Sequence, residues 1–135
     1  MSTAVVGTPE GLHDPVPFGY RHTTVAPAGA ELVFVSGQYG SGPDGAVVST
    51  DFAAQVDRAF HNVGLALAAH SLGLADVVRL RTYVVDHEPA KLGPIAGAVA
   101  ERWGAVPPAQ TLIGVAALAT PDLLFEVEAV AVRPV

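Results

Sequence analysis

The apolar residues of this chain switch repeatedly between a helical and a strand period, and that alternation limits the fold more than any single motif. Phe52, Val56, Ala59, Phe60, Val63 and Leu67 recur at three-to-four spacing, as on one face of a helix, with Thr50 and Asp51 placed to cap its start. Gln55, Arg58 and Asn62 fall off that stripe, and Gly73 is expected to stop the helix. Over residues 77–85 the period becomes two. Val78, Leu80, Thr82 and Val84 alternate with Arg79, Arg81 and Tyr83, which predicts a strand with one apolar and one mixed face. A second helix follows Pro89, with Leu92, Ile95, Ala96, Val99 and Trp103 on one stripe and Gly104 as its stop. Beyond Pro107 and Pro108, strands are expected at 111–115 and 125–132, and in the latter Glu126 and Glu128 share a face with Leu124, Val130 and Val132.

The amino-terminal third is less regular. Residues 1–19, with Pro9, Pro15 and Pro17, read as an irregular lead-in to one domain over 20–135. Residues 20–26 and 31–36 look like two strands joined by a turn at 27–29, hence a hairpin. A glycine-rich loop over 37–45 ends in the turn pair Asp44-Gly45, before a short strand at 46–48. The resulting order, ββ(β)αβαββ, is of α+β type, with two helices on one side of a mixed sheet. Its other face is left in need of a partner. Half the residues are hydrophobic and 15% are charged. That is more apolar than a small solvated monomer needs, and it points to a subunit interface.

Several function classes are disfavoured at this level. Seven Lys and Arg against thirteen Asp and Glu give a net charge of −6, the wrong sign for tracking a phosphate backbone, so no nucleic-acid partner is expected. With no cysteine, thiolate metal sites and a cysteine nucleophile are excluded. His13, His22, His61, His70 and His87 make neither HxxxH nor HExxH, and no metal is expected. Gly40 to Gly45 matches GxGxxG by letter, but Pro43, Asp44-Gly45 and the following valines separate it from the next helix, so it reads as a turn. No leader-like segment or membrane-length apolar run is evident, which makes the expected location cytoplasmic, away from membranes. Glu126 and Glu128 carry two readings: ion pairs across the sheet with Arg79 and Arg81, or an acid/base carboxylate in a cleft.

Five segments, taken in order, resemble the reactive-intermediate deaminase (Rid, YjgF-like) family. They are residues 33–38 (VFVSGQ), the helix from Gln55 through Asn62-Val63, Asp76-Val77-Val78, Pro108-Ala109, and 125–129 (FEVEA). The resemblance implies a chorismate-mutase-like subunit that forms a homotrimer with small-molecule clefts between subunits. It also implies hydrolysis of reactive imines or enamines to ketoacids and ammonia without metal or organic cofactor. Family cleft residues fall here on Tyr20 and Glu126, as catalytic groups, and on Ser36 and Gln110, as substrate-binding groups. Where deaminating members have Pro-Ala-Arg, this chain has Pro108-Ala109-Gln110. Gln110 offers only neutral hydrogen bonds in place of a bidentate charged grip, so a less anionic substrate than a 2-imino acid is expected. The alternative is a trimer that binds a ligand or partner without chemistry. Ribonuclease activity, also ascribed to such proteins, sits poorly with the acidic charge.

Overall fold

The computed structural model describes residues 7–135, so the first six residues of the lead-in lie outside the described part. Four strands form a mixed sheet: β1 (Glu31–Gln38), β2 (Val77–Val85), β3 (Ala109–Val115) and β4 (Phe125–Arg133). Two helices, α1 (Phe52–Ala68) and α2 (Leu92–Trp103), share one core with it. The sheet order is β1-β4-β2-β3, with β4 antiparallel to both its neighbours and β2 parallel to β3. The α+β class expected from the sequence is therefore present.

The periodicities place these elements closely. In β4, Phe125, Val127, Ala129 and Ala131 are buried, while Glu126, Glu128 and Val130 are only half-buried on the opposite face. In β2, Leu80, Thr82 and Val84 face the core and pair with those buried β4 positions. The core joins Phe60, Val63 and Leu67 of α1 to Ile95, Val99 and Trp103 of α2, with Phe60 and Trp103 edge to face at 5.8 Å. On the uncovered face, Phe34 and Leu32 stand 73% and 47% exposed.

Three expectations are corrected. Residues 20–26 do not form a hairpin with β1: this stretch makes one parallel bridge, Arg21 to Ala109, at the β3 edge, and β1 pairs with β4 instead. β4 completes the β1 ladder in a register that puts Val33 and Val35 on the same face as the buried Ala131 and Ala129. Residues 46–48 contribute one bridge, Val47 to Ser41, that closes the glycine-rich turn. Helix α1 ends at Ala68 rather than Gly73, because Ser71 takes a left-handed φ of 58° and the Leu72 N–H returns to the Leu67 carbonyl.

Gln55 and Asn62 lie off the apolar stripe of α1, yet both are buried. The Gln55 amide donates to the Ser49 and Asp122 carbonyls, and its oxygen accepts from the Leu124 N–H. Asn62 donates to the Tyr39 and Ser41 carbonyls, and Arg58 to that of Ser41. The polar flank of α1 thus holds the glycine-rich loop, and a Cβ at Gly40 would lie 2.8 Å from the Gln55 Cα. Asp51 caps α1 through the Ala54 N–H. Gln55→Leu is expected to lower unfolding free energy by roughly 2–3 kcal/mol by orphaning backbone groups. Asp51→Ala should cost about 1 kcal/mol. Urea unfolding of both variants checks the order.

Candidate functional site

Gly19, at φ 87°, ends the short 3-10 turn Val16–Phe18 and lets the lead-in settle on α2; a Cβ there would come within 3.3 Å of the Ala96 Cα. The next residue, Tyr20, is thereby held beside β3. Its hydroxyl lies 2.8 Å from the His13 Nε2, and His22 bonds the His13 carbonyl through its own Nε2, also at 2.8 Å. Tyr20 and Gln110 line one pocket of about 350 Å³ with Phe18, Leu92, Ile95 and Leu112. The Gln110 amide donates to the Gly19 carbonyl at 2.9 Å, while its buried oxygen has no partner among the described residues. The wall of that pocket is largely apolar, with Tyr20, Gln110 and Thr111 as its polar members.

Glu126 lies elsewhere, facing Gly37, the residue after Ser36. Pairing of β1 with β4 shifts between Val35 and Gln38, leaving Ser36 exposed and Gly37 facing the Glu126 side chain. A Cβ on Gly37 would lie 2.7 Å from the Glu126 carboxyl carbon, so a larger residue there would make the Glu126 side chain shift. Register shows why the four residues do not converge in one chain. Gln110 pairs with Leu80 on the helix-covered face, whereas Glu126 pairs with Tyr83 on the open face. The structure therefore brings Tyr20 and Gln110 to one pocket and sets Glu126 against Gly37, next to Ser36 in the chain, without joining the two groups.

Cross-strand ion pairing of the glutamates with Arg79 and Arg81 is not found. Arg81 sits directly opposite Glu128, yet among the described residues the ion pairs are Arg102 with Asp57 and Arg133 with Glu31. Glu128 instead accepts from the Tyr83 hydroxyl. A neutral phenol donating to a carboxylate releases its proton less readily, and this bond, with burial second, raises the Tyr83 pKa above its ordinary 10.0.

Comparison with known proteins fits this architecture. The sequence profile of the family described as Endoribonuclease L-PSP matches residues 19–133. The chain belongs to that family. Yersinia pestis YyfB, a protein of unknown function in the conserved Rid protein family, is 39% identical over 98% of this chain and 100% of its own, with a TM-score of 0.91. Mycobacterium tuberculosis Rv2704, of the YjgF/YER057c/UK114 family, is 31% identical over 98% of this chain and 100% of its own, with a TM-score of 0.65. A putative endoribonuclease of Thermotoga maritima shares the fold at 22% identity and a TM-score of 0.69, covering 99% of this chain and 98% of its own. No curated protein matches.

For this Rid-type chain, sequence reasoning placed His13 in an irregular lead-in and gave it no part in the site. The available signal was the density of aromatic and cationic residues over 13–22, where His13, Phe18, Tyr20 and His22 now pack edge to face. Glu128→Gln should return the Tyr83 titration toward its ordinary value, read as phenolate absorbance against pH. Because the folded pKa is raised, the unfolded chain loses this proton first. The Tyr83 contribution to stability is therefore intact below pH 10 and lost as pH rises through the folded value in wild type, and that loss shrinks in Glu128→Gln.

Proposed function

We propose that this chain is a homotrimeric, cofactor-independent enzyme that hydrolyses a reactive imine or enamine in clefts between subunits. The observation that carries this reading is the division of the site. Tyr20 and Gln110 lie on one side of the sheet and Ser36 and Glu126 on the other, so a single cleft holding all four draws on two copies. The open face, with exposed Phe34 and Leu32 beside half-buried Val130, supplies the apolar surface for such packing. Among the described residues no helix is long and apolar enough to cross a membrane.

In this reading Glu126, without a hydrogen bond or ion pair among the described residues, acts as the general base that directs water at the electrophilic carbon. The Tyr20 hydroxyl and Ser36 orient the substrate. Gln110, with one amide N–H given to the Gly19 carbonyl, offers a carboxylate no charged grip, which makes 2-imino acids poor ligands at that point. The same loss of charge at Gln110 keeps a second reading in play, a trimer that binds a ligand without turning it over. An RNA substrate is disfavoured by the net charge of −6.

Glu126→Gln preserves shape and removes the proton acceptor. Ammonia release from small imines and enamines should fall to background, a loss of at least about 100-fold, while sedimentation still reports a trimer. A wild-type monomer at micromolar concentration would remove the shared cleft. Turnover that survives Glu126→Gln would remove the base, and ligand-induced stabilisation without any turnover would favour the binding reading.

A further inference from the structure

We propose that Arg21, with Arg79 and His22 at its sides, forms a binding site for a small carboxylate anion. The inference deepens the reading of this region as a ligand cleft, because it supplies the charge that Gln110 lacks. The first observation is burial without compensation. Arg21 is only 8% exposed, its Nε donates to the Pro107 carbonyl, and its enclosed Nη1 has no partner among the described residues. No carboxylate lies within ion-pair distance of it among those residues. A guanidinium stays protonated even when enclosed, so this is a buried positive charge in want of an anion. Burial lowers its pKa, with no neighbouring acid acting in the opposite direction.

The second observation is register. Arg21 bridges Ala109 from outside the sheet, held by its N–H to the Pro108 carbonyl at 3.2 Å, and Arg79 pairs with the same Ala109 from β2. Register partners project to one face, so two arginines stand on either side of an alanine, their backbones about 10 Å apart across two strand spacings. A methyl floor between two guanidinium arms leaves room for a group the size of a carboxylate. The hollow there, of about 280 Å³, is lined by Tyr20, Arg21, His22, Arg79, Gln110 and Thr111, and no acidic residue contributes to it. In a chain with thirteen acidic residues and seven basic ones, this wall carries two arginines and a histidine. A planar carboxylate accepts two parallel bonds from the fork of one guanidinium.

The test reads binding rather than turnover, so it answers even if the protein proves catalytically silent. Thermal shift and titration calorimetry with pyruvate and its neutral analogue pyruvamide, at constant ionic strength, supply the probes. Pyruvate should raise the melting temperature saturably and pyruvamide should not. Arg21→Met should weaken pyruvate binding at least about tenfold, and Arg79→Ala severalfold. Without anion, Arg21→Met should melt no lower than wild type, since it removes an uncompensated buried charge. Absence of saturable pyruvate binding, an equal response to pyruvamide, or full affinity in Arg21→Met overturns the site. Should Arg21→Met not fold, Arg79→Ala decides, and undiminished affinity there overturns it. If pyruvate has no effect while Arg21→Met weakens self-association, the counter-charge is a carboxylate of a second copy, and the small-molecule site fails.

Discussion

β4 is the strand on which the rest of the fold depends. It comes last in the chain yet lies between β1 and β2, so the first strand has no place in the sheet until residues near the carboxyl terminus arrive. Its alternation also decides what each face is. Phe125, Val127, Ala129 and Ala131 meet the helices, and Glu126, Glu128 and Val130 meet the open side. A slip of one residue would drive both glutamates into the core, a cost that fixes the register strongly. Gln55 guards the approach by binding the Asp122 carbonyl and the Leu124 N–H, immediately before the strand begins.

Where a side chain faces one neighbour layer, its role was legible in the sequence. The α1 stripe, the alternation of β2 over 77–85 and the glutamate face of β4 all appear where periodicity puts them. Partner choice was not legible. Residues 20–26 have strand-like composition, but β1 takes β4, and only Arg21 pairs with an edge. Periodicity equates polar with exposed, which is why Gln55 and Asn62 escaped: their burial depends on loop carbonyls that no local pattern announces. The candidate site divides in the same way. Its residue types were identifiable through family likeness, while their separation onto two faces is a property of register, and the tie between Tyr20 and His13 crosses a stretch without period at all.

Charge is distributed unevenly for so acidic a chain. Arg102 and Arg133 are matched with carboxylates, Lys91 serves the Val85 and Asp86 carbonyls, and Arg58 serves Ser41. Arg21, Arg79 and Arg81 have no ion-pair partner among the described residues, and Arg21 and Arg79 share Ala109 as a register partner. Structural duties absorb the other cations, and of these three only Arg21 has one among the described residues, through its Nε to the Pro107 carbonyl. Beside Ala109 two arginines concentrate positive charge within a chain of net charge −6, which draws small anions toward the sheet edge.

The chain has one tryptophan, and its placement makes the protein's ultraviolet emission a report from a single address. Trp103 is buried at the end of α2, its indole N–H donating to the Leu74 carbonyl and its ring set against Phe60. Ile95, which lines the Tyr20 pocket, is two turns earlier on the same helix, about 12 Å away along the axis. Loosening of the helix layer would redden that glow, because water would reach an indole now enclosed by apolar neighbours. Occupancy of a pocket two turns off, with α2 undisturbed, would leave the colour alone.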